Sequence, residues 1–424
     1  MNTPLKSVLI GFGILFWTSA YSLVHAASYY VSPTGNNTNP GTISQPFATL
    51  QKAHDVANPG DTIYMRGGTY MLSAPTTISR SGSSGNLIKI SNYPDEVPII
   101  DGISLTNSGW PGIQMNSASW WHFQGLEIKN APMHGIYLNG ASSNNIVEHC
   151  NLHHNVRLNT NGAGVLVTGT SGNNLILNND AHHNGLFGST GGDGVSVTDT
   201  KATGNVLRGN RVWRNNDDGI DLWNAANVLV ENNWSWENGY DDNFVTHGGN
   251  GTGFKLGGGG TGDGNHIVRN NVAWRNTHNG FDDNSADIPM VLYNNTGYEN
   301  GRIAGTNFAF YTGIANVLKN NLAFTPNTVS FNGAVQHTFN SWNVAATVSL
   351  ADFVTLDFAA NLGARQADGS LPVSNFLRLA TGSDLVDKGV NVGIAYTGSV
   401  PDLGAYEYVN PVLTPQPPSN LVVR

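Results

Sequence analysis

The chain holds a single cysteine, Cys150, among its 424 residues, so no intramolecular disulfide can form. Charged residues are also scarce at 12%. The net charge is −9, and no cluster of Lys or Arg is present that could follow a phosphate backbone, which argues against nucleic acid as a partner. Beyond the first residues no apolar run is long enough to cross a bilayer. Helical periodicity is nearly absent. Phe47, Leu50, Ala53 and Val56 share a helical spacing that Asn58-Pro59-Gly60 stops, and no later segment repeats it.

What is present in quantity is glycine, 51 residues of it, with Asn crowded into the middle of the chain. That composition suits many short strands joined by turns. The length is ample for a large core. An acidic chain acting on an acidic polymer would need a cation between the two.

The ends read differently from the middle. Lys6, the apolar stretch Ser7 to Val24 and the small residues around Ala26 predict a secretory signal over 1–27. The mature protein is then expected to be secreted, extracellular or periplasmic, with no membrane attachment after cleavage. One domain is expected over 28–410, as a monomer. Residues 411–424 are Pro-rich and read as a tail or as the start of a truncated module.

From Asn144 onward an internal repeat is legible. Segments such as Asn174-Leu175-Ile176-Leu177-Asn178-Asn179 and Asn227-Val228-Leu229-Val230-Glu231-Asn232-Asn233 recur, and their last residues fall at 150, 179, 210, 233, 271, 295 and 321. Periods of this size mean a solenoid. Each period carries two or three short apolar runs broken by Gly and Asn, so three short strands per coil are predicted. The fold class is all-β, a right-handed parallel β-helix. The short helix would cover its first coil, and an irregular C-terminal cap, ending in a strand over Asp402 to Tyr408, would follow the decay of the pattern beyond Pro326. The recurring Asn fits an inward ladder at a bend, in which Cys150 takes one place as a buried residue.

Three turns of the repeat carry unusual chemistry. Aligned on Gly-apolar-X-apolar they read Gly194-Val195-Ser196-Val197, Gly219-Ile220-Asp221-Leu222 and Gly253-Phe254-Lys255-Leu256. In a strand the X residues share the outer face, and in stacked parallel strands they lie ~4.8 Å apart per layer. Lys255 is then expected beside Asp221, with Asp193, Asp217 and Asp218 at the same corner. Asp-Gly pairs are ordinary turn chemistry, but Asp221 sits mid-strand, where Asp is disfavoured. Four carboxylates at one corner repel unless a divalent cation joins them. Proximity to that cation and partial desolvation would both favour a neutral Lys255 amine. The 38-residue interval that contains Lys255 also carries extra Gly-rich loop, and insertions in solenoids gather on the working face.

The Asp193-Gly194, Asn216-Asp217-Asp218-Gly219-Ile220-Asp221 and Gly253-Phe254-Lys255-Leu256-Gly257-Gly258 motifs, with the Tyr29 to Tyr70 opening, resemble polysaccharide lyase family 9 pectate lyases over most of residues 29 to 325. The resemblance implies calcium-assisted β-elimination of polygalacturonate to 4,5-unsaturated products. Asp193, Asp217, Asp218 and Asp221 would hold Ca2+, and Lys255 would act as the base on the C5 proton. Arg211, Arg214, Arg275 and Arg302 lie on nearby coils and are candidates to pair with further uronates of this acidic polysaccharide.

Two other classes share the fold. A polygalacturonase-like hydrolase would use paired carboxylates, and Asp217-Asp218 and His247-Gly248 superficially suit it, but no Arg-Ile-Lys segment is present and Lys255 is left without a task. A carbohydrate-binding or adhesin solenoid has no need of Lys255 either. The histidines at 122, 134, 149, 153, 154, 182 and 183 scatter along coil turns and read as surface or ladder residues. Asp241-Asp242 and Asp282-Asp283 read as turn caps or as a second ion site.

Overall fold

The computed structural model describes residues 26–409 except 160, 187, 188, 247 and 327. The expected leader, apart from Ala26 and Ala27, the tail 411–424 and His247 lie outside the described residues. Every strand pairing between named strands is parallel, and the strands form three long sheets of 12, 10 and 10 strands. Each coil contributes one short strand to each sheet. Parallel pairing at a fixed register stacks the coils into a β-helix, as the repeat predicts.

The corners explain the Asn-rich sequence. At one corner a residue with positive φ, such as Asn178, Asn232, Asn270, Asn294 or Asn320, turns the chain, and the residue after it points inward. These inward residues, Cys150, Asn179, Asn210, Asn233, Asn271, Asn295, Asn321 and Asn340, form one ladder. Each Asn carboxamide oxygen accepts from the backbone N–H of the ladder residue one coil earlier, at 2.8–3.0 Å. Asn tolerates the left-handed conformation and also carries both a donor and an acceptor, so Asn-Asn pairs satisfy the bend and the ladder together. Cys150 keeps the backbone half of the scheme and supplies no amide oxygen of its own.

Two further ladders, not foreseen from the sequence, run along the other corners. One holds Asn145, Asn174 and Asn205, and the second runs from Asn155 through Asn184, Asn215, Asn238, Asn276 and Asn300 to Asn307. Between the ladders the interior is apolar. Phe254, Phe281 and Phe308 stack at 4.8 Å centroid spacing, a direct reading of the strand separation.

The α-helix Leu50–Val56 is capped by the Thr49 hydroxyl, which accepts from Lys52 N, and buries Leu50 and Ala53 against the first coil, in agreement with the expected cover. The C-terminal region departs from expectation. The helix continues past Pro326 with strands Val329–Phe331 and Gln336–Thr338. Asp402 to Tyr408 forms no strand. It lies along the flank of the third sheet, where Ala405 N donates to the Thr296 hydroxyl and Gly404 N to Asn320 O. There Phe353, Phe376, Leu379, Leu385 and Leu403 bury the outward aromatic rings Trp234, Trp236, Trp274 and Tyr298. An alternating apolar pattern reads as a strand, and this one is satisfied by covering a wall of rings instead.

Replacing Asn233 by Ala strips partners from the buried Asn210 N–H and the Leu207 carbonyl. Each orphaned group costs ~1–3 kcal/mol, so N233A should lower stability by about 2–6 kcal/mol, read from the denaturant midpoint by circular dichroism.

Candidate functional site

The three repeat turns singled out above are adjacent strands of the second sheet. Ser196 pairs in register with Asp221, and Asp221 with Lys255, so all three outer-face residues stand in one column. Asp193 opens the strand Asp193–Val197, and Asp218 stacks over it one coil on, its N–H donating to Asp193 Oδ1 at 3.1 Å. The Ser196 hydroxyl donates to Asp193 Oδ2 at 2.8 Å and fixes that carboxylate.

Carboxylate oxygens of Asp193, Asp218 and Asp221 lie within 4.8 Å of one another, and among the described residues this is the one group with the spacing to hold a metal ion. Lys255 Nζ is 3.1 Å from Asp218 Oδ2 and 3.5 Å from Asp221 Oδ2. Asp218 is fully buried. Its Oδ1 accepts from Thr252 N at 2.8 Å, while its Oδ2 accepts no hydrogen bond of acceptable geometry and has only the ionic approach of the lysine. A buried carboxylate oxygen left in that state, beside two more acids, is a donor set suited to a divalent cation. Asp217 lines the same cavity but is not part of the close trio. Its Oδ1 accepts from Asn250 N at 2.6 Å, a donor from the long Gly-rich loop. That loop also supplies Thr252 N, so the insertion seen in the sequence braces two of the acids.

The charges are far from their ordinary balance. Burial, reinforced by Asp221, Asp217 and Asp218, raises the Asp193 carboxyl well above the usual range. Burial and Asp218 push Asp217 up to about 8, and burial pushes Asp221 up to about 6 against the pull of Lys255. For Lys255, burial alone favours the neutral amine, as expected from the sequence. Asp218, Asp221, Asp193 and Asp217 together outweigh it, and the ammonium is held well above its ordinary range. Among the protein's own groups the carboxylates keep the proton on, whereas the neutral amine expected from the sequence was tied to a neighbouring cation.

The cavity over these residues has a volume of about 410 Å³ and is also lined by Met133, His134, Asn161, Ser196 and Trp223. His134 and Trp223 were not foreseen as site residues. The signal for Trp223 was in the repeat, because Thr198 and Gly257 occupy its place in the neighbouring turns.

None of the four arginines lines this cavity. Arg211 opens a strand of the third sheet, pairs with Asp180 at 2.5 Å and donates to the carbonyls of Asn361 and Gly363, so it anchors the C-terminal segment. Arg214 and Arg275 are positive-φ corner residues that alternate with Glu237 and Glu299. Arg214 pairs with Glu237 at 3.0 Å and Asp242 at 2.6 Å, Arg275 lies 3.5 Å from Glu237, and Arg302 pairs with Glu299 at 3.3 Å. The sequence repeat gives the coil of a residue, but not which wall an irregular corner faces. The spare acids are absorbed as well. Asp242 pairs with Arg214 and His183, Asp241 and Asp282 cap turns, and Asp283 holds Tyr311 and Thr312. His153 stacks on His182 and His182 on Trp213 along the third sheet, while buried His134 accepts from Ala163 N.

Residues 29–321 match the model of a family described as "Pel9A-like, right handed beta helix region", and the chain belongs to that family of right-handed parallel β-helix proteins. It is 32% identical to Pectate lyase L of Dickeya chrysanthemi, over 89% of this chain and 90% of the relative, and 32% identical to Pectate lyase PEL9 of Emericella nidulans, over 89% and 98%. Among solved structures, the crystal structure of pectate lyase Pel9A superposes with a TM-score of 0.78 at 31% identity, covering 90% of this chain and 96% of that one.

Carboxyls with raised pKa values destabilise the ion-free fold once pH climbs above their unfolded values near 4, and the cost grows until the folded value is passed. For Asp217 that window runs from about 4 to about 8. Asp217→Asn keeps the acceptor for Asn250 N, so it should raise the Tm of chelated protein at pH 8 and lose that advantage near pH 4. Calorimetry across this range checks it.

Proposed function

We infer that this chain is a pectate lyase that cleaves an acidic polysaccharide, polygalacturonate, by β-elimination, with Lys255 as the base and Ca2+ held by Asp193, Asp218 and Asp221, with Asp217 at the edge of the site. The observation that carries the reading is one amine, Lys255, in register with Asp221 and within ionic reach of Asp218 and Asp221, beside three converging buried carboxylates in an open cavity. Membership of the family and the pectate lyase relatives support the same activity.

Each residue has a task in that chemistry. The three acids present a concentrated negative pocket to which the uronate carboxylate, itself an anion, is not attracted. Those acids would hold Ca2+, which would supply positive charge to offset them and to stabilise charge developing as the C5 proton leaves. Burial by itself favours the neutral Lys255 amine that a base requires, and offsetting the carboxylate charge would loosen the acids' hold on its proton. Lys255 then accepts the C5 proton. The C4–O bond breaks, its electrons leave with the glycosidic oxygen, and a 4,5 double bond remains. Ser196 and the backbone N–H groups of Asn250 and Thr252 keep the acids in place throughout.

A hydrolytic reading fits the geometry less well. An inverting pair of carboxyls stands ~6.5–9.5 Å apart to admit water, whereas these acids converge on one point with a lysine among them. The leader-like N-terminus is in keeping with an exported enzyme.

Incubation with polygalacturonate should give ultraviolet absorbance of an unsaturated product, abolished by a chelator and restored by calcium. Lys255→Ala should lower that rate by ~10²–10⁴-fold with the circular dichroism spectrum unchanged. Reducing ends formed without absorbance would point to a hydrolase instead.

A further inference from the structure

Trp223 stands out as a large apolar side chain left 38% exposed on the rim of the catalytic cavity, where it lines the same space as Lys255, Asp217 and Asp221. Its main chain is fixed. Its N–H donates to Asp221 Oδ1 at 2.9 Å, and its carbonyl accepts from Asp199 N at 3.1 Å. The indole rests against a turn that only glycine allows. A Cβ on Gly259 would lie 1.9–2.2 Å from Cε2, Cζ2 and Nε1 of the ring, and Gly258 and Gly259 both have positive φ. The Gly-rich turn therefore leaves room for the ring and backs it, while the ring lines the cavity. An exposed cation sits alongside: Lys201 Nζ donates to the carbonyl oxygen of Asn224 at 2.9 Å and to its Oδ1 at 2.8 Å, one residue beyond the tryptophan.

A flat apolar face beside a cation suits one sugar chemistry, a pyranose ring that carries a carboxylate. We propose that Trp223 is the stacking platform for the uronate neighbouring the one that reacts, and that the Lys201 ammonium pairs with its carboxylate. This rests on the lyase reading above and adds to it a substrate contact outside the carboxylate nest. The ring supplies most of the contact, because an aromatic face buries a large apolar area against the C–H groups of a sugar. The lysine is solvent-exposed, so its share is screened by salt.

The test is steady-state kinetics on polygalacturonate with three variants, each checked for an unchanged Tm. Trp223→Ala should raise KM by ~tenfold or more while kcat falls by less than about threefold, and Trp223→Phe should recover most of the loss. Lys201→Ala should flatten the dependence of KM on ionic strength. A KM within about twofold of wild type for Trp223→Ala, or an equal rise for Trp223→Phe, overturns the platform.

Binding is read separately by retardation in gels containing polygalacturonate and calcium, with Lys255→Ala as the background so that the polymer is not cut. Loss of retardation when Trp223→Ala is added supports the proposal. Equal retardation, or none in either protein, overturns it. Tryptophan-dependent retardation, with the wild-type protein yielding no unsaturated product from the same polymer, would sink the lyase reading and leave the sugar platform standing.

Discussion

Vertical registration between coils is the constraint on which the rest of the protein depends. Two sets of hydrogen bonds enforce it: the parallel backbone pairing of three sheets, and the amide ladders that run inside three corners. A slip of one residue in any of these coils would turn its apolar side chains outward and break its ladder steps at once. Asp221 and Lys255 lie within ionic reach because the backbone beneath them can pair in only one way.

The same rigidity lets the protein hold charge in an unfavourable state. Three carboxylates forced together under burial would ordinarily separate or take up protons, and here the strands leave them no room to move apart. Lys255 relieves part of that repulsion and pays with its own basicity, since the acids that it steadies keep it protonated. The site thus concentrates acid charge that its one amine offsets only in part. The Gly-rich insertion contributes through its backbone, placing N–H groups on Asp217 and Asp218.

Much of this was legible in the sequence, for identifiable reasons. Paired asparagines recur because a left-handed corner followed by an inward amide leaves few other residue types, so one ladder and its Cys150 member could be read directly. Lys255 over Asp221 followed from the period-2 geometry of strands. The closer partner, Asp218, was not singled out, because which acid a long flexible side chain reaches depends on directions that register alone does not give. The arginines failed as site candidates for a related reason. A repeat fixes height along the stack, but the wall on which a corner residue emerges depends on the irregular turns between strands. Asp402 to Tyr408 looked like a strand because its apolar alternation is real, and only the tertiary surface decides whether such a segment pairs or covers.

That covering segment carries a consequence for the integrity of the whole molecule. The outward rings of the third sheet form an oily flank, and the chain after the last coil folds back to shield it, tied by Arg211 and Arg365 to Asp180. A solenoid is usually thought vulnerable at its two open ends, where unpaired strands invite partners. In this protein the side is equally exposed to trouble, and its safety is entrusted to residues far from the coils they protect, joined to them by the Asp180–Arg365 pair and by hydrogen bonds such as Ala405 N to the Thr296 hydroxyl.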